Sequence, residues 1–260
     1  MPRKSRIDAP GALHHIIARG IERTAIFADD SDRHNFIDRL GTILWETQSS
    51  CFAWALIPNH FHLLLKTGQV PIATVMRRLM TGYAITFNRR HRRSGHLFQN
   101  RYKSILCQED SYLLELVRYI HLNPLRAKMV ADIKVLNKYP FCGHSVIMGK
   151  VKNTWQDVEG VLRFFDKRIG VARRSYRAFV QKGIAQGKRK DLTGGGLIRS
   201  SGGWTAVKAR SLLCYWAVRE VGITMAELSR RLKISLSGVG LSVQRGEKIA
   251  QDYGYALIDH

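Results

Sequence analysis

The stretch Asn59-His60-Phe61-His62-Leu63-Leu64-Leu65 holds residue types suited to chemistry at a telling spacing. Side chains two apart on a strand leave from the same face. His60 and His62 therefore stand together, while Phe61 and Leu63 turn toward a core. Two imidazoles on one rigid face suit a single divalent cation; the same pair also fits the solvent face of a half-buried strand. A second group lies in Tyr119-Ile120-His121-Leu122-Asn123-Pro124. On a helix, Tyr119 and Asn123 share a face at i and i+4. The Asn123 amide oxygen then offers a third ligand, with the Tyr119 hydroxyl one turn away. His121 falls on a different face and reads as structural or as a phosphate contact. Taken alone, Tyr119 also fits a buried aromatic with a satisfied hydroxyl.

The elements that must position these groups follow from pattern. Residues 14–19 read as a strand ended by Gly20, and 30–47 as a helix with cap candidates at Asp30, Ser31 and Asp32. Residues 51–57 and 60–66 read as a hairpin turned by Pro58-Asn59. Val75, Leu79, Tyr83 and Phe87 repeat at i+4 and predict a helix over 72–88. A basic loop at 89–95, a strand at 102–107 and a helix at 111–123 closed by Pro124 complete the run. That order predicts an α+β fold, a ferredoxin-like antiparallel sheet with one extra helix. Residues 131–155 look irregular, and 157–166 and 171–183 helical. Further on, a helix over 207–221 is stopped by Gly222, and Thr224-Met225-Ala226-Glu227 has capping-box spacing. A helix to 232, a turn at 233–235 and a helix from 237 give a helix-turn-helix-like pattern; a plain bundle of helices has the same signature. The expected division is 1–130 as the domain holding the candidate residues, 131–193 as a basic helical extension, 194–203 as a Gly/Ser-rich linker, and 204–260 as a small all-α domain.

Charge points to the partner. The 260 residues include 42 Lys plus Arg against 20 Asp plus Glu, a net +22, within a globular 45% hydrophobic composition. Between Glu46 and Glu109 there is no acid, yet the segment carries Lys66, Arg77, Arg78, Arg89, Arg90, Arg92, Arg93, Arg101 and Lys103. A groove for phosphates excludes acids, because a like charge costs affinity at each contact. Arg77, Arg78, Arg89, Arg90, Arg92, Arg93, Arg101 and Lys103 are thus the candidate nucleic-acid contacts, with Tyr102, Phe98 or His96 to stack on unpaired bases. A second basic block runs over 163–190, interrupted only by Asp166. The bland alternative is a generally basic soluble protein. No run reaches about 18 apolar residues, so no membrane is expected as a partner. The basic N-terminus lacks the apolar stretch of a signal peptide. Cys51, Cys107, Cys142 and Cys214 are scattered and suit a reducing cytoplasm.

From about residue 9 to 130 the sequence resembles the single-tyrosine HUH transposases, and among them the REP-associated tyrosine transposases. The resemblance rests on HHIIARG at 14–20, PNHFHLLL at 58–65, MRRLMTGYAITFNRRHRRSGHLFQNRYKS at 76–104 and YIHLNPLRA at 119–127. It implies that His60 and His62 form the metal pair and that Tyr119 is the nucleophile. Asn123 completes the metal site where other branches use Gln. It further implies metal-dependent cleavage and strand transfer of single-stranded, hairpin-forming palindromic DNA through a 5′-phosphotyrosine, in a cytoplasmic protein held near the nucleoid by DNA. Mg²⁺ or Mn²⁺ is the expected cofactor, since a hard phosphate oxygen shares the site; two histidines also accept Zn²⁺. No organic cofactor is expected, and relatives include monomers and homodimers alike. The terminal module is similar to the DNA-binding domain of the replication initiator DnaA, with Gln244 and Arg245 as base-reading candidates on a helix over 237–245. Two competing readings are a non-catalytic DNA-binding regulator derived from a transposase and a metal-dependent phosphoester hydrolase.

Overall fold

A computed structural model describes residues 11–107, 110–187, 202–232 and 235–253; side chains at 110–112, 202–210, 252 and 253 stand outside the description. The expected linker at 194–203 lies almost wholly outside the described residues. The chain divides into two compact units, Met1–Arg189 and Lys190–His260.

In the first unit, four antiparallel strands pair in the order β2-β3-β1-β4. Strand β1 (Leu13–Arg19) is central and is flanked by β3 (His60–Lys66) and β4 (Lys103–Cys107), while β2 (Ser50–Ile57) lies outside β3. The two-residue alternation of a strand splits the sheet into two faces. On one, Ile16, Ala18, Trp54, Leu56, Phe61, Leu63 and Leu65 pack against α1 (Asp30–Glu46) and α2 (Ile72–Arg90) through Phe36, Leu40, Leu44, Val75, Leu79 and Tyr83. The other carries His15, Ile17, His60 and His62 and is covered by α3 (Asp110–His121), which packs on β2 and β3. This is the expected ferredoxin-like arrangement with its extra helix. Gly20 ends β1 because the chain folds back so tightly that a Cβ there would run into the Thr24 carbonyl oxygen and Ile26.

Boundaries shift for local reasons. The α1 cap is Asp29, one residue before the three candidates, its carboxylate accepting from the Asp32 amide at 3.0 Å. Helix α2 runs on to Arg90, so Arg89 and Arg90 belong to it and not to a loop. Helix α3 ends at His121. Asn123 opens a separate short helix, α4 (Asn123–Arg126), which places Pro124 in the first turn, where a missing N–H costs nothing.

The segment set apart as an extension is packed on the sheet edge. Short helices α5 (Ile133–Leu136) and α6 (Gly143–Ile147) replace the irregular stretch, followed by α7 (Val158–Leu162) and α8 (Ile169–Lys182). The Leu56 amide donates to Phe141 O at 3.1 Å, the Asp157 amide to Cys51 O at 2.8 Å, and Trp54 Nε1 to Gln156 Oε1 at 2.9 Å. These bonds cover the polar groups of an edge strand whose residues are otherwise almost all apolar.

In the second unit, α9 (Gly202–Arg219), α10 (Met225–Leu232) and α11 (Leu236–Tyr253) enclose Cys214, Leu228, Val239 and Val243. Gly222, in the left-handed region at φ 76°, follows the end of α9 as expected. The capping box is half formed. Thr224 Oγ1 accepts from the Glu227 amide at 3.2 Å, but the Glu227 carboxylate turns to Arg230 and Arg231. Gly246 lets α11 approach the Ser211 carbonyl of α9. Residues 233 and 234 of the expected turn lie outside the described residues.

Candidate active site and basic surface

The hairpin register builds the site. His62 of β3 and Lys103 of β4 both pair with Ile17 of β1, so the central strand sets all three on one face. His15, two residues back on β1, reaches diagonally to His62. His15 Nε2 and His62 Nδ1 share a buried hydrogen bond of 3.1 Å, and the rings stack at 5.3 Å. The His60 ring lies 5.1 Å from that of His62. Asn59 Nδ2 donates to Arg23 O at 3.2 Å, which leaves Asn59 Oδ1 to accept from His60 Nδ1 at 2.7 Å. Both imidazoles thus have Nδ1 engaged, and the Nε2 atom of each is the end left for another partner.

Burial holds these rings neutral. Desolvation, with Arg19 adding positive charge, brings His60 down to about 4. Burial, then His15, His60 and Arg19, hold His62 well below the ordinary histidine value. A neutral imidazole is the form that binds a metal.

Helix α3 brings Tyr119 to the same place. Its ring meets His62 edge-on at 5.8 Å and His15 at 6.2 Å. Tyr119 is nearly enclosed, with 8% of its surface exposed. Asn123 reaches back from α4, its Nδ2 donating to the carbonyls of Tyr119 at 3.1 Å and Ile120 at 3.3 Å. Those carbonyls belong to the unpaired last turn of α3, and engaging them fixes the amide orientation with nitrogen toward the helix and oxygen away. Arg126 lays its guanidinium over the Tyr119 ring at 5.1 Å and donates to Tyr119 O at 3.4 Å.

Among the described residues no three His, Cys, Asp or Glu side chains form a metal-holding group. His60 and His62 offer two neighbouring imidazole nitrogens, and Asn123 an amide oxygen at the end of the Tyr119 helix; donors of that chemistry suit a divalent ion that keeps open positions for phosphate oxygens.

His15, Asn59, Arg19 and Arg126 were not singled out by the sequence. The doubled histidine at 14–15 was the available signal for His15. Alternation on β1 sends His14 to the other face, where its Nδ1 meets Ser104 Oγ at 3.0 Å, and turns His15 to His62. Arg19 is exposed and pairs in register with His60.

The basic candidates separate in space. Arg77 and Arg101 are exposed and line a groove between α2 and residues 95–102. Arg89, Arg92 and Lys103 are exposed, as is Arg93, which lies over the Phe87 ring. Arg78 pairs with Glu46, and Arg90 is clamped by Asp29 at 2.6 Å and by Asp32. The acid-free stretch of sequence therefore meets acids supplied by α1. Of the stacking candidates, Tyr102 is buried in the core and Phe98 packs edge-on against Phe61, because both anchor the 95–102 segment to the sheet; His96 alone is exposed. Gln244 and Arg245 are exposed on α11. No helix among the described residues is long and apolar enough to cross a membrane.

None of the curated proteins matches this chain. Among solved structures, a REP-associated tyrosine transposase bound to a REP hairpin is similar at 14% identity, covering 60% of this chain and 94% of that one with a TM-score of 0.47. A candidate transposase from Deinococcus radiodurans R1 is similar at 19% identity, covering 43% of this chain and 88% of that one with a TM-score of 0.32. The family model for IS200-like transposases matches residues 10–123, the span running from the strand of His15 to Asn123. Over residues 10–123 this chain is thus similar to the IS200-like transposases.

Proposed function

We propose that the Met1–Arg189 unit cleaves and rejoins single-stranded DNA, with Tyr119 as nucleophile. The observation that carries this reading is the edge-on approach of the Tyr119 ring to His62, 5.8 Å, in a cluster where His60 and His62 each have Nδ1 engaged. His60 Nε2, His62 Nε2 and Asn123 Oδ1 are the atoms that would hold a divalent ion, Mg²⁺ or Mn²⁺. Bound there, such an ion supplies Lewis-acid polarisation of the scissile phosphate.

The residues of the chain do the rest. For His62 to present a lone pair at Nε2, its Nδ1 carries the proton and donates to His15 Nε2; Asn59 imposes the same tautomer on His60. The Tyr119 oxygen attacks phosphorus, forming an O–P bond as the bond from phosphorus to the 3′-oxygen breaks. The departing 3′-oxygen takes up a proton, and the tyrosine proton goes to solvent or to a nearby base. The product is a 5′-phosphotyrosine and a free 3′-hydroxyl. Because the bond energy is kept in the phosphotyrosine, attack by another 3′-hydroxyl joins strands with no added energy source. Arg126 over the phenol, and Arg19 and Lys103 at the rim of the same face, balance the negative charge of the phosphate. Arg77, Arg89, Arg92, Arg93 and Arg101 offer an exposed basic surface for the strand, and the sequence resemblance to REP-associated transposases favours a hairpin. In the Lys190–His260 unit, the exposed Gln244 and Arg245 of α11 are the candidate DNA contacts.

A labelled hairpin oligonucleotide with single-stranded flanks, incubated with the full chain and Mn²⁺, tests this. A denaturant-resistant adduct that disappears in Tyr119→Phe and on chelation supports the reading. Binding without an adduct leaves a DNA-binding regulator, and cleavage that survives Tyr119→Phe means a hydrolase.

A further inference from the structure

His121, two residues past the tyrosine, is fully buried and joins a chain of polar groups that the chemistry above does not use. Its Nδ1 lies 2.7 Å from the hydroxyl of Tyr176 on α8, and that hydroxyl lies 2.9 Å from Nδ1 of His144 on α6. His144 Nε2 lies 2.9 Å from Asn137 Oδ1. The direction of every proton follows from the last link. An amide oxygen only accepts, so His144 carries its proton on Nε2, and its Nδ1 is a lone pair. That lone pair accepts from the Tyr176 hydroxyl, whose oxygen accepts in turn from His121 Nδ1–H. His121 Nε2 is then a buried lone pair with no hydrogen-bond partner, facing Gly143, where a Cβ would come to 2.8 Å.

A second contact lies one helical turn away on both elements. Arg118, three residues before His121, sets its guanidinium 4.3 Å from the ring of Phe179, three residues after Tyr176. It also donates to Gln186 Oε1 at 3.0 Å. Helix α8 therefore grips the last turn of α3 at two successive positions, on the side away from the Tyr119–His62 contact.

We infer that α8 is a brace for the nucleophile helix, with Tyr176, His121 and His144 as positioning residues that set where Tyr119 and Asn123 stand. This rests on the transferase reading for its consequence but not for its geometry. A buried chain in which every proton direction is dictated tolerates one register of α3 against α8, because sliding either helix strands several polar groups at once. The unpartnered His121 nitrogen is the cost of that arrangement.

Tyr176→Phe removes a single oxygen and leaves the ring packing. The expected result is amide exchange at residues 119–126 faster by about tenfold or more, with α1 and α2 unchanged. Single-turnover adduct formation at saturating DNA falls by about tenfold or more while DNA affinity stays within about twofold. His121→Asn, which keeps an N–H near the Nδ1 position, restores most of what His121→Leu loses. Unchanged exchange at 119–126 in Tyr176→Phe overturns the brace. So does loosened exchange with an unaltered single-turnover rate. If the unaltered chain forms no adduct, the transferase reading fails and the exchange result alone decides the brace.

Discussion

An imidazole presents a lone pair to a cation only when its proton is fixed on the other nitrogen, and here two side chains from different elements do the fixing. Asn59 holds His60 through Nδ1, and His15 holds His62. Replacing Asn59 with alanine removes the acceptor and frees the His60 ring to turn. Mn²⁺ affinity, measured by titration calorimetry on the full chain, should drop about 10- to 100-fold, the usual cost of losing a group that orients a ligand. An unchanged affinity means that Asn59 does not orient the site. The sequence made His60, His62, Tyr119 and Asn123 legible because each pair is local, two apart on a strand or four apart at a helix end. It hid His15, Arg19 and Arg126, whose relevance depends on strand pairing and on the turn after α3. Asn59 was visible as a turn residue, but its hydrogen bond to His60 was not.

At the scale of elements, α1 and α2 are joined by charge as well as by core packing. Asp32 is buried in the first turn of α1, accepting from the Ala28 amide at 2.8 Å and from His91 and Arg90 at the end of α2. Asp32→Ala leaves the Ala28 amide and His91 without this acceptor, while Arg90 keeps Asp29, and should cost about 2–3 kcal/mol in urea unfolding. A loss below about 0.5 kcal/mol shows that the cluster is only a surface pairing. The same cluster explains why charge was misread along the sequence. A gap of 62 residues without an acid looked like a continuous phosphate groove, yet Asp29, Asp32 and Glu46 of α1 lie across from Arg90 and Arg78. Helix α3 was anticipated to run through 123 because Pro124 marks a boundary without saying which residue before it ends the helix. The covering of β2 by residues 141–157 was not legible at all, since those short helices carry too few residues for a periodic signal.

For the whole molecule, the buried histidines tie stability to pH. His60 and His144 are held at about 4 and about 3 by burial, and His62 and His121 well below normal, against an ordinary value of 6.5. The folded chain keeps them neutral while the unfolded chain protonates them. Their stabilising contribution is complete above about pH 6.5 and is lost progressively as pH falls toward the folded values. The urea midpoint of the Met1–Arg189 unit, followed by exchange protection in β1 and β3, should therefore decline between about pH 7 and pH 5, above the range where ordinary carboxylates titrate. A flat profile there contradicts neutral burial. The surplus of positive charge was the plainest message of the sequence, and the antiparallel sheet with its helices was nearly as plain, since alternating strands and i+4 helices announce themselves. What the composition left open was which cations face solvent: Arg77, Arg89, Arg92, Arg93, Arg101 and Lys103 do, while Arg78 and Arg90 are engaged by acids.

If Tyr119 is the nucleophile, a covalent bond joins its phenolic oxygen to DNA, and peptide mapping reads that bond. The full chain is incubated with Mn²⁺ and a hairpin oligonucleotide, digested with protease and nuclease, and examined by mass spectrometry. The expected product carries a nucleotide joined through its 5′-phosphate to the phenolic oxygen of Tyr119. A nucleotide carried on another residue, or cleaved DNA with every tyrosine unmodified, contradicts it.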